Sequence, residues 1–135
     1  MKKINLVSLR IITEEIKRLV RFYEEVTGLK AKWSTDDFAE INTTSFTLAI
    51  GSVRTLAFFG AGVAEPGSNK SVIIEFLVEN VDEDYERIKT LTSDIVQKPT
   101  TMPWGNRSLL FRDPDGNLVN FFTPPTEKAK NKTIK

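Results

Sequence analysis

A chain of 135 residues, 40% apolar and 27% charged, has the make-up of a globular protein and is long enough for one domain with a real hydrophobic core. Its 19 basic and 18 acidic residues leave a net charge of +1, which offers no global field for nucleic acid. The absence of cysteine and histidine excludes disulfides, thiolate metal sites and Ser–His or Cys–His nucleophile pairs, and no apolar run approaches the ~20 residues that cross a bilayer.

Met1-Lys2-Lys3 opens like a signal peptide, but Arg10 interrupts the apolar stretch and no small-residue cleavage site follows. A cytoplasmic location is therefore expected. Ile4 to Ile12 alternates as a strand, with Leu9 and Ile11 on one face. Thr13 suits an N-cap, with Glu14 and Glu15 in the first turn. Ile16, Leu19, Val20, Tyr23 and Val26 keep helical spacing, and Gly28 stands where a helix would stop. Lys30 to Ser34, Phe38 to Asn42, Ser45 to Ile50 and Arg54 to Phe59 are short and strand-like, with Gly51-Ser52 as a hairpin turn.

Residues 60–69 carry three Gly and one Pro among polar residues and read as a linker. The pattern then restarts. Ser71 to Val78 is a strand, Asp82 to Leu91 a helix with Tyr85, Ile88 and Leu91 on one side, and Ile95 to Lys98, Arg107 to Arg112 and Leu118 to Phe122 are strands. Phe46 to Phe59 can be laid over Ser108 to Phe122, each ending in a Phe-Phe pair, which points to a duplication. The expected fold is α+β: two βαβββ modules, about 4–60 and 71–124, forming a curved mixed sheet with a cleft. One domain over 1–125 would be followed by a flexible basic tail, 126–135.

Asp113-Pro114-Asp115-Gly116-Asn117 reads as a structural turn, in which Pro pre-sets the bend and Gly allows positive φ. Together with the flanking strands, the Arg18 to Leu29 helix with its Phe22-Tyr23 and Gly28, and the duplication, it resembles the vicinal oxygen chelate superfamily of glyoxalases, bleomycin-resistance proteins and extradiol dioxygenases. The resemblance runs from Ile4 to Pro124.

In the metal-dependent relatives, it implies ligands from the first and last strands of each module. Those positions fall here near Leu6 or Ser8, at Ala57, near Ile73 or Glu75, and at Asn120. Only Glu75 is a carboxylate, whereas a catalytic metal needs about three imidazole or carboxylate ligands. No metal and no cofactor are expected.

Glu75 interrupts an apolar strand and by parity shares a face with Ile73 and Leu77. It is the one candidate base or polar anchor, with Arg107 or Arg54 as a possible ion-pair partner. Trp104, in the irregular Pro103-Trp104-Gly105, is a candidate platform for a ligand, or else a lid over the core or a residue of a dimer interface. Met102, Trp33, Asn120 and Arg107 complete the candidate ligand-binding residues; parity does not decide whether Arg107 or Arg112 faces the cleft. Half of Phe58, Phe59, Phe121 and Phe122 should be core.

The resemblance implies a metal-independent homodimer that binds a small apolar or aromatic molecule, such as a toxin or antibiotic, in a cleft. Asp36, Asp37, Glu40 and Glu75 could form an acidic patch suited to a cationic drug. The alternatives are a lyase, isomerase or dioxygenase-like enzyme that uses Glu75 or a weakly held metal, and an interaction domain whose cleft is filled by its own side chains.

Overall fold

The computed structural model describes residues 3–125; the expected tail, 126–135, lies outside them. The chain divides into two compact units, with the boundary between Ser68 and Asn69. The first unit runs β1 (Ser8–Thr13), α1 (Ile16–Thr27), β2 (Lys32–Thr35), β3 (Phe38–Asn42) and β4 (Thr47–Ser52), followed by a 3-10 turn at Val53–Leu56. The second runs β5 (Ile73–Leu77), α2 (Val81–Ile88), β6 (Ile95–Thr101), β7 (Arg107–Arg112) and β8 (Leu118–Thr123). The expected pair of βαβββ modules is thus present.

Each unit holds one four-stranded mixed sheet, ordered β1-β4-β3-β2 in the first and β5-β8-β7-β6 in the second. The first and last strands of each module pair in parallel, and the remaining pairs are antiparallel. A parallel pair cannot be joined by a tight turn, so the helix serves as the crossover and lies against one face of its sheet. The helix-side strand residues are the core: Ala39, Ile41, Leu48 and Ile50 in the first unit, and Leu109, Phe111, Val119 and Phe121 in the second. Phe121 packs against both Phe76 and Phe111, with ring centroids 5.3 Å apart in each pair.

α1 forms because its apolar residues recur every three or four positions. Ile16, Leu19, Val20, Tyr23 and Val26 are all buried, as is Phe22. Burying a side chain of Leu19's size contributes about 1.5–3 kcal/mol. The helix stops at Gly28, whose φ of 75° lets its N–H return to the Glu24 carbonyl at 2.9 Å. Its start differs from the expectation. Thr13 ends β1, and its hydroxyl accepts from the Glu15 N–H at 3.2 Å, so Glu15 takes the N-cap position without a side-chain cap bond of its own. β1 is also shorter than expected, and residues 3–7 are exposed outside it.

The strand expected at Arg54 to Phe59 is absent. β4 continues through Gly51 and Ser52, which pair with Ile12 and Thr13. Ser52 then ends the strand: its Oγ accepts from Arg54 N at 3.2 Å, and the Thr55 hydroxyl donates to its carbonyl at 2.7 Å. These local bonds satisfy the backbone without a partner strand. The overlay of Phe46–Phe59 on Ser108–Phe122 fails with it, because the counterpart of the β7–β8 hairpin is β3–β4. Phe58 and Phe59 lie outside the sheet, 97% and 61% exposed, whereas Phe121 is core as expected.

The Asp113–Asn117 turn is structural, as expected. Asp113 and Asn117 are both buried. The Asp113 carboxylate accepts from Asp115 N at 2.9 Å, Asn117 N at 2.9 Å and Asn117 Nδ2 at 2.8 Å, and Gly116 adopts a φ of 88°. Asp113→Ala leaves these donors unpaired inside the fold. It is expected to lower unfolding free energy by about 2–3 kcal/mol, read from chemical denaturation, against less than about 0.5 kcal/mol for Thr44→Ala on an exposed turn.

Candidate ligand-binding site

One helix covers one face of a four-stranded sheet, and the other face is left for other uses. In the second unit that helix-free face carries Ile73, Glu75 and Leu77 of β5, with Leu118, Asn120 and Phe122 of β8 beside them in register. Leu110 and Arg112 of β7 follow, opposite Asn120 and Leu118. Ile73 and Leu77 are 48% and 46% exposed, so apolar surface flanks the polar pair at its centre.

That pair is Glu75 and Asn120. They are register partners, and Asn120 Nδ2 donates to Glu75 Oε2 at 3.0 Å. Glu75 is exposed rather than half-buried, and its partner is this amide rather than an arginine. Asn120 Oδ1 is buried and has no hydrogen-bond partner among the described residues. A buried acceptor left unpaired costs about 1–3 kcal/mol, so this atom calls for a donor.

The equivalent register pair of the first unit is Arg10 and Ala49, on β1 and β4. Arg10 lies 5.4 Å from the Phe38 ring centroid and 5.6 Å from that of Phe59. Gly51 makes room for this, since a Cβ there would come within 3.3 Å of Arg10 Cδ and 2.9 Å of Thr55 Oγ1. Sequence reasoning missed Arg10 as a site residue. The signal was available in the alternation of β1, where Arg10 falls between Leu9 and Ile11 on the opposite face.

The other expected residues are dispersed. Arg107 is on the helix side of β7 and binds Asp82 in the first turn of α2, with Nε–Oδ2 at 2.8 Å and Nη2–Oδ1 at 3.0 Å. That bidentate contact holds the Asp82 carboxyl below its ordinary value of 3.8 and raises the Arg107 guanidinium. The pair borders a pocket of about 300 Å³ with Thr101, Gly105 and Thr123. Arg112 does share the Glu75 face, and its Nη1 donates to the Gly116 carbonyl at 3.0 Å.

Met102 and Trp104 sit in the β6–β7 turn, closed by Gly105 N to the Met102 carbonyl at 2.8 Å, and Trp104 is 71% exposed. Trp33 pairs with Ala39, on the helix side of its sheet. Of the expected acidic patch, Asp37 is taken by Arg54 Nε at 2.8 Å and Ser52 Oγ at 2.8 Å, contacts that lower its carboxyl from 3.8.

This donor chemistry does not fit the metal that the resemblance implies for its enzymatic branch. The two register pairs supply a carboxylate with an amide whose N–H points at it, and a cation with a methyl group. Ala57, carried over as a last-strand ligand position, follows the 3-10 turn and is in no strand; register assigns that position to Ala49. Among the described residues, no group of three or more Asp or Glu side chains is gathered for an ion.

The sequence model of the Glyoxalase/Bleomycin resistance protein/Dioxygenase superfamily matches residues 4–121. An uncharacterized protein of Bacillus subtilis strain 168, YraH, is 25% identical over 123 residues, covering 87% of this chain and 96% of its own length. A glyoxalase/bleomycin resistance protein/dioxygenase from Nocardioides superposes with a TM-score of 0.75 at 20% identity, covering 94% of this chain and 87% of that one. A family enzyme from Burkholderia phytofirmans PsJN gives a TM-score of 0.76 at 16% identity, covering 89% and 98%. At those identities the solved structures speak to the fold alone.

The donor set predicts the outcome of metal loading. Protein offered excess zinc, nickel, manganese or iron and then dialysed should retain well under one equivalent by elemental analysis. A stoichiometric ion whose retention is lost in Glu75→Gln would contradict this reading.

Proposed function

We propose, from the premise that this chain belongs to the glyoxalase/bleomycin resistance protein/dioxygenase superfamily, that it is a metal-independent binding protein for a small organic molecule of the toxin or antibiotic kind. The observation that carries this reading is the Glu75–Asn120 pair on an exposed, apolar-flanked face. It offers an exposed carboxylate, oriented by the Asn120 amide, as a polar anchor set in apolar surroundings, which is how small-molecule sites are built. Sequestration needs affinity and no reacting group. Trp104, exposed in the turn of the same unit, is proposed as an apolar wall.

Native mass spectrometry of protein taken gently from a cell lysate tests this. The expected result is an organic adduct of defined mass, released on denaturation. Trp104→Ala should weaken that ligand by about 1–3 kcal/mol, the usual cost of losing a buried aromatic contact. Glu75→Gln should weaken a cationic ligand and leave a neutral one nearly unchanged. An adduct whose affinity neither variant alters would move the site away from this face.

The same exposed apolar residues favour self-association. Ile73, Leu77 and Val72 are each between 45% and 48% exposed, and a two-fold arrangement is the commonest way to cover such a surface. A homodimer is expected in sedimentation equilibrium at roughly tens of micromolar, an ordinary subunit affinity. A monomer throughout that range would contradict it.

A further inference from the structure

We propose that Arg10 is an anion-recognition residue, and that the first unit receives a small organic carboxylate with an apolar or aromatic body. The inference rests on the small-molecule reading above. It does not rest on Glu75, Asn120 or Trp104.

Three observations carry it. The first is the way Arg10 is held. Its guanidinium is within 5.4 Å of the Phe38 centroid and 5.6 Å of the Phe59 centroid. Phe38 is on β3, and Phe59 is brought back over β1 by the turn after β4, where its N–H donates to the Leu56 carbonyl at 2.9 Å. Gly51 leaves the space along which the arginine stem runs. Two rings and a side-chain-free strand position restrict a long, flexible cation before any ligand arrives, so less rotamer entropy is lost on binding.

The second observation is what Arg10 lacks. It makes no hydrogen bond or ion pair among the described residues, although it is solvent-exposed and carries five N–H donors. Arg54 is bound to Asp37, Arg107 to Asp82 and Arg112 to the Gly116 carbonyl, whereas Arg10 shares its lack of a polar partner with Arg21 on α1 and differs from it in being held by two rings. Aromatic rings engage the faces of a guanidinium and leave its edge free, and that planar edge matches a carboxylate bidentately.

The third is the balance of charge around it. On the same helix-free face, Glu40 of β3 has Lys32 of β2 directly opposite in register, so their charges offset across the strands. Between Glu40 and Arg10 stands Ala49, the register partner of both. Arg10 thus has no carboxylate in ion-pair range among the described residues and, unlike Lys32, no opposite charge facing it in register. Phe59, 61% exposed, supplies apolar surface beside it. A free inorganic anion would use the charge alone, whereas an aromatic acid would use both charge and rings.

Isothermal titration of the full chain with benzoate tests the proposal, with benzamide and inorganic phosphate as comparison probes. Wild-type protein is expected to bind benzoate saturably and more tightly than either probe. Arg10→Gln should weaken benzoate by about tenfold or more, and Arg10→Lys nearly as much because an ammonium lacks the planar fork. Phe59→Leu, which keeps the charge and removes one ring, should weaken it about two- to fivefold. Arg21→Gln, which removes an exposed cation on α1, should leave benzoate binding unchanged. All three positions are exposed, and unaltered thermal midpoints verify that the variants fold.

Benzamide or phosphate binding as tightly as benzoate, or benzoate affinity unaltered by Arg10→Gln, would overturn the proposal. So would no benzoate binding up to about 10 mM, weaker than any useful site. If the protein then still carries an organic adduct from lysate, only the Arg10 inference falls. If it binds nothing organic, the small-molecule reading falls with it.

Discussion

Parallel pairing of the first and last strand in each unit decides what the rest of the chain can do. It forces a crossover, the crossover is a helix, and a single helix covers one face of its sheet. Every strand residue is thereby sorted. Leu48, Ile50, Val119 and Phe121 face the helix and hold the unit together. Arg10, Ala49, Glu75 and Asn120 face away from it, at the centre of the parallel pair, where packing against the helix places no demand on side-chain chemistry. The duplication applies the same sorting twice, and the two units have filled the equivalent register positions with opposite charges.

That charge difference argues against an ancestral metal role in this chain more strongly than any missing histidine. Metal ligands must present lone pairs toward a common point. Arg10 presents only donors, Ala49 presents nothing, and Asn120 turns its amide N–H toward the Glu75 carboxylate. What remains suits recognition by hydrogen bonds and charge: an exposed carboxylate, oriented by the Asn120 amide, and an arginine stacked on two phenylalanines. Arg107, by contrast, is spent on Asp82, which ties β7 to the start of α2.

Most of the fold was legible in the sequence because its determinants are local. The helical spacing of Ile16 through Val26, the stop at Gly28 and the bonds of the Asp113–Asn117 turn each follow from neighbouring residues. Strand parity likewise grouped Glu75 with Ile73 and Leu77, the residues that the structure places on the helix-free face. The misplaced strand, the repeat overlay and the Ala57 position share one cause. Leu56, Phe58 and Phe59 look like a strand by composition, but Ser52 and Thr55 close the backbone into a 3-10 turn. The shifted repeat followed from that error, and with it Ala57 took the place that belongs to Ala49. The Asp82–Arg107 pair and the Arg10–Phe59 stack join residues far apart in sequence, so no local pattern announced them.

On the proposed reading, the helix-free faces are where a ligand is met. Residue-resolved NMR with an organic fragment library, following backbone amides with the Asn120 side-chain NH2 and the Arg10 Nε–H, tests it most directly. Saturable shifts are expected to concentrate on Glu75, Asn120 and Leu110, or on Arg10, Ala49 and Gly51, with little change at Asp82 and Arg107. Shifts confined to the pocket beside Arg107, or to the outer faces of α1 and α2, would contradict it.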